Sequence, residues 1–188
     1  MLPHIKNRRS IFPQFFTDKA VDKELISALL DAANHAPSHR KTEPWRFKVY
    51  TGNGKETLKQ EMANIYNALR QPEASWSEKL AKKFGQKIDQ SPVVIAIFLH
   101  RDPAESVPEW EEIAAVGCAV ENLWTSLDAY NLGGYWSSPT FLCDHYGQWP
   151  GSRDNERCMG IFYLGYHEAP ELPRPRGAWE EKVTWIEE

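Results

Sequence analysis

The run VVIAIFL at residues 93–99, entered through Pro92 and unbroken by any polar residue, constrains this chain more than any other stretch. It is too short to cross a bilayer and has no wet face, so it reads as a central strand buried on both sides. Other elements must cover it. With 188 residues, 41% of them hydrophobic and 26% charged, the chain is long enough to do so as one domain, 1–188. The N-terminus MLPHIKNRRS has no apolar run resembling a secretory signal, so a cytoplasmic protein without a membrane segment is expected.

Helical and strand periodicities alternate irregularly around that run. VDKELISALLDAANH (21–35) puts Val21, Leu25, Leu29 and Ala32 on one helical stripe, with Asp22 and Glu24 in the first turn and Ala36-Pro37 as its end. PWRFKVY (44–50) alternates Trp45, Phe47 and Val49 with Arg46 and Lys48, as a strand with one wet face does. KETLKQEMANIYNALRQ (55–71) predicts a second amphipathic helix, and the polar stretch after Pro72 a mobile helix or loop. Residues 109–131 predict a long, mostly buried helix through Ile113, Val116, Gly117, Val120, Leu123, Trp124 and Leu127, with Gly117 marking close packing. Gly133-Gly134 break it before a short strand at Tyr135 and Trp136, and CMGIFYLGY (158–166) gives another core strand. The proline-rich tail turns strand-like at KVTWIE. These elements predict an α+β layer structure without internal repeats.

Several chemistries are excluded or unsupported. A net charge of −4 argues against a general nucleic-acid binder. Cys118, Cys143 and Cys158 form no CxxC pair, and of the six histidines only His35 and His39 lie four apart, with Pro37 between them, so neither a disulfide framework nor a metal site is expected. Glu109, Glu111 and Glu112 read as a solvated helix N-terminus favoured by the helix dipole. No GxGxxG, GxxxxGK[ST] or GxSxG pattern occurs, which leaves nucleotide cradles of those types and acyl transfer unsupported.

Four segments, NRRS (7–10), AANHAPSHRKTEPWRF (32–47), GGYWSSP (133–139) and GYHEAPELPRPRGAWEEKVTWIE near the end, together resemble the nitroreductase family, in particular its short members. The resemblance implies an α+β fold with a central, mostly antiparallel sheet flanked by helices, and a homodimer that exchanges C-terminal strands around flavin mononucleotide (FMN) at the interface. KVTWIE alternates Val183 and Trp185 with charged neighbours, as a strand needing a partner sheet would, or as one folding back on its own subunit.

The same resemblance assigns roles residue by residue. Arg8 and Arg9 would offer guanidinium forks, and Ser10 a hydroxyl, to the cofactor's phosphate, against the bland alternative of a solvated basic tail. Arg174 and Arg176 in LPRPRG resemble a second basic pair for that phosphate; a charged linker is the alternative. Ser38 and His39, with His35 behind them, would reach the ribityl chain or ring edge of flavin held by the other subunit. Lys41 and Glu43 depart from the asparagine and glutamine frequent there, and an anionic Glu43 cannot donate as an amide does. Trp136, Ser137 and Ser138 would flank the ring, with Gly133 and Gly134 letting the main chain approach it; otherwise this is a helix-ending turn with a core tryptophan.

The activity implied is ping-pong transfer of hydride from NADH or NADPH through flavin N5 to a small planar aromatic acceptor such as a nitroaromatic or quinone, with no catalytic side chain. The rivals are reductive dehalogenation or flavin fragmentation, a non-catalytic FMN-binding module whose ring face is plugged by Trp76, Trp110 or Tyr66, and a cofactor-free interaction protein using its exposed aromatics.

Overall fold

The computed structural model describes residues 3–69, 78–144, 146–170 and 175–187. In chain order the regular elements are α1 (Pro3–Asn7), α2 (Lys23–Asn34), β1 (Trp45–Thr51), α3 (Gly54–Leu69), α4 (Glu78–Asp89), β2 (Val93–His100), α5 (Glu109–Ser126), β3 (Leu132–Ser137), α6 (Thr140–Cys143) and β4 (Glu156–Tyr166).

Every residue of β2 is buried, and the strand lies inside a four-stranded sheet of order β1-β2-β4-β3 in which each neighbouring pair is antiparallel. Because successive strand side chains point to opposite faces, Val93, Ile95, Ile97 and Leu99 enter one core with residues of α2 and α5. Val94, Ala96 and Phe98 enter a second core with Leu58, Met62 and Ile65 of α3, Phe84 and Ile88 of α4, and Leu142 of α6. The continuous apolar run therefore dictates helical cover on both faces of the sheet. A bulge interrupts the ladder where Ile97 faces Gly160 and Phe98 faces Cys158. Gly160 has φ +129, and a Cβ there would stand 2.5 Å from the Trp136 indole nitrogen, so only glycine fits.

The structure corrects several finer expectations. The buried line on α2 runs through Ile26, Leu29 and Ala33, with Leu25 and Ala32 only half-buried at its edges, because α5 meets the helix one residue around from the expected stripe. Val49 is exposed on edge strand β1, whereas Tyr50 is buried and donates its hydroxyl to Glu61 at 2.7 Å. Gly117 marks no close contact: nothing lies within 4 Å of the position its Cβ would take. The long helix gives way after Ser126 to a 3-10 turn at Leu127–Tyr130, closed by Asn131 in the left-handed region at φ 56. KVTWIE does not fold back onto this chain's own sheet: apart from a 3-10 turn at Glu180–Lys182, residues 175–187 are irregular and all exposed in the single chain.

The acidic start of α5 is not simply solvated either. Glu112 is only 1% exposed, pairs with Arg101 at 2.8 Å and accepts the Asp102 N–H at 2.9 Å. Glu109 accepts the Tyr146 hydroxyl at 2.7 Å and pairs with Arg157 at 3.2 Å; burial, and then this carboxylate, push the Tyr146 phenol up to about 12.

Candidate functional site

A cleft of about 520 Å³ opens between the N-terminal segment, the end of α5, the start of β3 and the residues after β4. Its lining includes Lys6, Arg8, Arg9, Trp124, Asp128, Gly133, Gly134 and His167. The N-terminal segment is tied down beside β3: Ser10 bridges Gly134 in parallel, and the buried Ile11 donates its N–H to the Gly134 carbonyl at 2.9 Å. Two glycines are required here for packing. A Cβ on Gly133 would meet Ile11 at 2.7 Å, and one on Gly134 would meet Phe162 at 2.5 Å and Leu127 at 2.6 Å.

Trp124 organises the basic pair. Its indole N–H donates to the Arg9 carbonyl at 3.2 Å, its ring lies 4.5 Å from the Arg8 guanidinium carbon, and it meets Phe162 of β4 edge-on at 5.2 Å. Arg8 Nε also stands 3.4 Å from Glu121, an arrangement that orients the fork while leaving its terminal nitrogens for another acceptor. Arg9 reaches the Ala169 carbonyl through a long contact of 3.5 Å.

His167 completes this side. Its Nδ1 accepts the Ala169 N–H at 3.2 Å, which fixes the neutral tautomer with the proton on Nε2. Burial, followed by the charge of Arg9, holds its pKa below the ordinary histidine range. Among the described residues the cleft therefore combines two guanidinium forks, one ammonium and one imidazole against a single lining carboxylate, Asp128, a donor set suited to a phosphate.

The remaining sequence candidates are placed elsewhere. Trp136 has its indole N–H engaged by the Met159 carbonyl at 3.1 Å, so only its half-buried ring remains available; Ser137 is half-buried and Ser138 exposed. These lie downstream of Gly134 along β3, with Ser138 about 13 Å away at strand rise. His35 caps α2, exposed, 3.7 Å from Asp31. Ser38 accepts the Glu43 N–H at 3.3 Å, and His39 Nδ1 meets Glu111 at 2.5 Å. Arg40, Lys41 and Glu43 in this loop have φ of 52, 57 and 43, a concentration of left-handed non-glycine residues that stores backbone strain. Glu111 and Trp124 are 13 residues apart on α5, so the loop and the cleft stand about 20 Å apart along the helix axis. One chain does not bring them together.

Arg176 is exposed and does not line the cleft; Arg174 and Trp76 fall outside the described residues. Tyr66 is buried edge-on against Phe141 in the α3 core and Trp110 is exposed on the first turn of α5, so neither plugs the cleft. Among the described residues no three potential metal ligands gather, and no helix is long and apolar enough to cross a membrane. Sequence reasoning missed Trp124 as a guanidinium platform and His167 altogether. The signal for His167 was thin: a lone histidine inside a tail segment.

Residues 5–166 match the sequence profile of the nitroreductase family. YfhC of Bacillus subtilis, named as a candidate NAD(P)H nitroreductase, is 31% identical over 173 residues, covering 90% of this chain and 86% of YfhC. A nitroreductase-like family protein from Bacillus cereus superposes with a TM-score of 0.79 at 29% identity, covering 98% of this chain and 94% of its own. A candidate nitroreductase from Desulfovibrio desulfuricans, solved in complex with FMN, shares the fold with a TM-score of 0.70 at 23% identity over 99% of this chain and 98% of its own.

Proposed function

The chain belongs to the nitroreductase family, and on that premise we propose that it is an FMN-dependent oxidoreductase that uses NADH or NADPH to reduce small planar acceptors such as nitroaromatics and quinones. The observation that carries this reading is that Arg8, Arg9 and His167 line one cleft together with Gly133 and Gly134. Such a donor set fits a phosphate tail.

FMN, held by Arg8, Arg9 and the residues along β3, would supply two-electron hydride chemistry between a nicotinamide and a planar acceptor. The chain's own residues hold and orient. Arg8, fixed over Trp124 and beside Glu121, and Arg9, fixed through its carbonyl, bind the anionic end without reorganising. From Gly134 the strand leads toward Trp136, Ser137 and Ser138, which offer a ring face and hydroxyls to the far end of an elongated ligand. No side chain of the cleft is required to take a proton from the acceptor, since solvent supplies it.

Ser38 and His39 cannot reach that ligand from their own subunit, so the reading includes a homodimer in which this loop comes from the second copy. The tail supports it. Trp185 and Ile186 are 72% and 94% exposed in the single chain, an apolar surface suited to covering by another subunit.

The test is the visible spectrum of the purified protein, release and identification of any chromophore, and oxidation of NADH or NADPH with menadione or a nitrofuran. A flavin spectrum and turnover support the reading. Protein that stays colourless in excess FMN overturns it; bound flavin without turnover by any acceptor leaves the binding-module or divergent-chemistry reading.

A further inference from the structure

His167 has a place in the cleft that the family resemblance does not assign, and its geometry is unusually well defined. The Ala169 peptide anchors two cleft groups at once, its N–H on His167 Nδ1 at 3.2 Å and its carbonyl near Arg9 at 3.5 Å. The imidazole Cδ2 edge lies over Gly133, 2.8 Å from where a Cβ would be, so any larger residue at 133 would displace the ring. Nε2 adjoins that edge, opposite the anchored Nδ1, and among the described residues no protein group accepts its proton. A half-buried imidazole that lines the cleft with its N–H unpaired is a binding element open to a ligand.

The charges around it favour an anion. Lys6, Arg8 and Arg9 of the N-terminal segment and Asp128 of the turn after α5 line the same cleft, Glu168 follows it in the chain, and Lys19 stands over the ring of neighbouring Tyr166 at 3.8 Å. In the free protein a further cation beside Arg9 is disfavoured, which agrees with the lowered pKa of this histidine. A phosphate reverses that balance by placing negative charge among the donors.

We propose that His167 is a third anion-binding group of the cleft, donating its Nε2–H to the ligand's phosphate and, as the phosphate arrives, taking up a proton on Nδ1 in exchange for the hydrogen bond that Nδ1 accepts from the Ala169 N–H, which turns to solvent. The proposal rests on the FMN reading above but concerns this chain's own residue. Its consequence is linkage: a complex that holds more protons than the free protein binds more tightly as pH falls. Each unit by which the pKa rises in the complex is a tenfold gain in affinity across the window between the free and bound values.

The experiment titrates full-length protein with FMN by flavin fluorescence from about pH 5.5 to about pH 8, for wild type and His167→Gln. The phosphate's own ionisation is common to both proteins, so the wild-type to variant affinity ratio isolates His167. That ratio is expected to be about tenfold at the acid end and to shrink toward the alkaline end. In parallel, the imidazole resonances of His167 in the wild type are followed by NMR with FMN and with inorganic phosphate, where an upward shift of its pKa is expected. A pH-independent affinity ratio together with unmoved His167 resonances, while FMN binds, overturns the proposal. If wild type binds no FMN, the cofactor reading fails separately, and the inorganic phosphate titration alone decides: a raised pKa upholds the anion site, an unchanged one sinks it.

Discussion

At the C-terminal end of α5, Arg8, Arg9, Trp124 and His167 interlock through short-range contacts within one chain, and their donors face a common cleft. At its N-terminal end, about 20 Å away, Ser38 and His39 sit in a strained loop, tied to Glu43 and Glu111, and are not among the residues that line the cleft. Both regions carry residues expected to contact one ligand. The first is assembled within one chain, whereas the second, on the function proposed above, would act on the ligand of another subunit. The difference separates the anchoring of a charged tail, which needs rigid donors in one chain, from the enclosure of a ring, which a second copy can provide.

The largest expected effect breaks the cleft. Two charge-assisted contacts at about 1.5–3 kcal/mol each make Arg8→Ala with Arg9→Ala weaken FMN binding by about 10²- to 10⁴-fold in a fluorescence titration. Ser38→Ala with His39→Ala is expected to weaken it about tenfold, since these groups touch the ring end rather than the phosphate. Equal losses in the two double variants would erase the distinction between anchoring and enclosure.

Next comes Glu112→Gln, which removes one partner of the buried pair with Arg101. A loss of about 3 kcal/mol in chemical denaturation is expected, on the loop side of the molecule and away from the phosphate donors. Gly134→Ala tests the other end: its Cβ would press on Phe162 and Leu127, and a loss of about 1–3 kcal/mol is expected. A neutral outcome would return the glycine to the role of admitting a ligand.

The smallest effect is a pH dependence of the ligand-free protein. The folded pKa of His167 lies below the ordinary 6.5, so between those values the unfolded chain binds more protons. The corresponding stability is fully present above about pH 6.5 and is lost as pH falls below it. His167→Gln should flatten that slope in thermal melts, and bound phosphate should reverse it.

Much of the frame was legible because it rests on one-dimensional patterns. An unbroken apolar run specified β2 and its cover on both faces, and Arg8 and Arg9 stood out as an adjacent pair in an acidic chain. What escaped depends on contacts distant in sequence. His167 gains meaning only beside Arg9, and Glu112 looks solvated until Arg101 lies against it. The two glycines at 133 and 134 line the cleft, but their close packing against Ile11, Phe162 and Leu127 is a second demand for glycine that local sequence does not reveal. The tail strand expected at KVTWIE requires a sheet that this chain alone does not offer.

The central claim is that the cleft grips a phosphate. Its most direct test compares FMN with riboflavin, the same ring and ribityl chain without the phosphate, by calorimetric titration of the ligand-free protein. The account predicts that FMN binds at least about 100-fold more tightly, the worth of two charge-assisted contacts, and that the preference largely disappears in Arg8→Ala with Arg9→Ala. Riboflavin binding as tightly as FMN to the wild-type protein would contradict it.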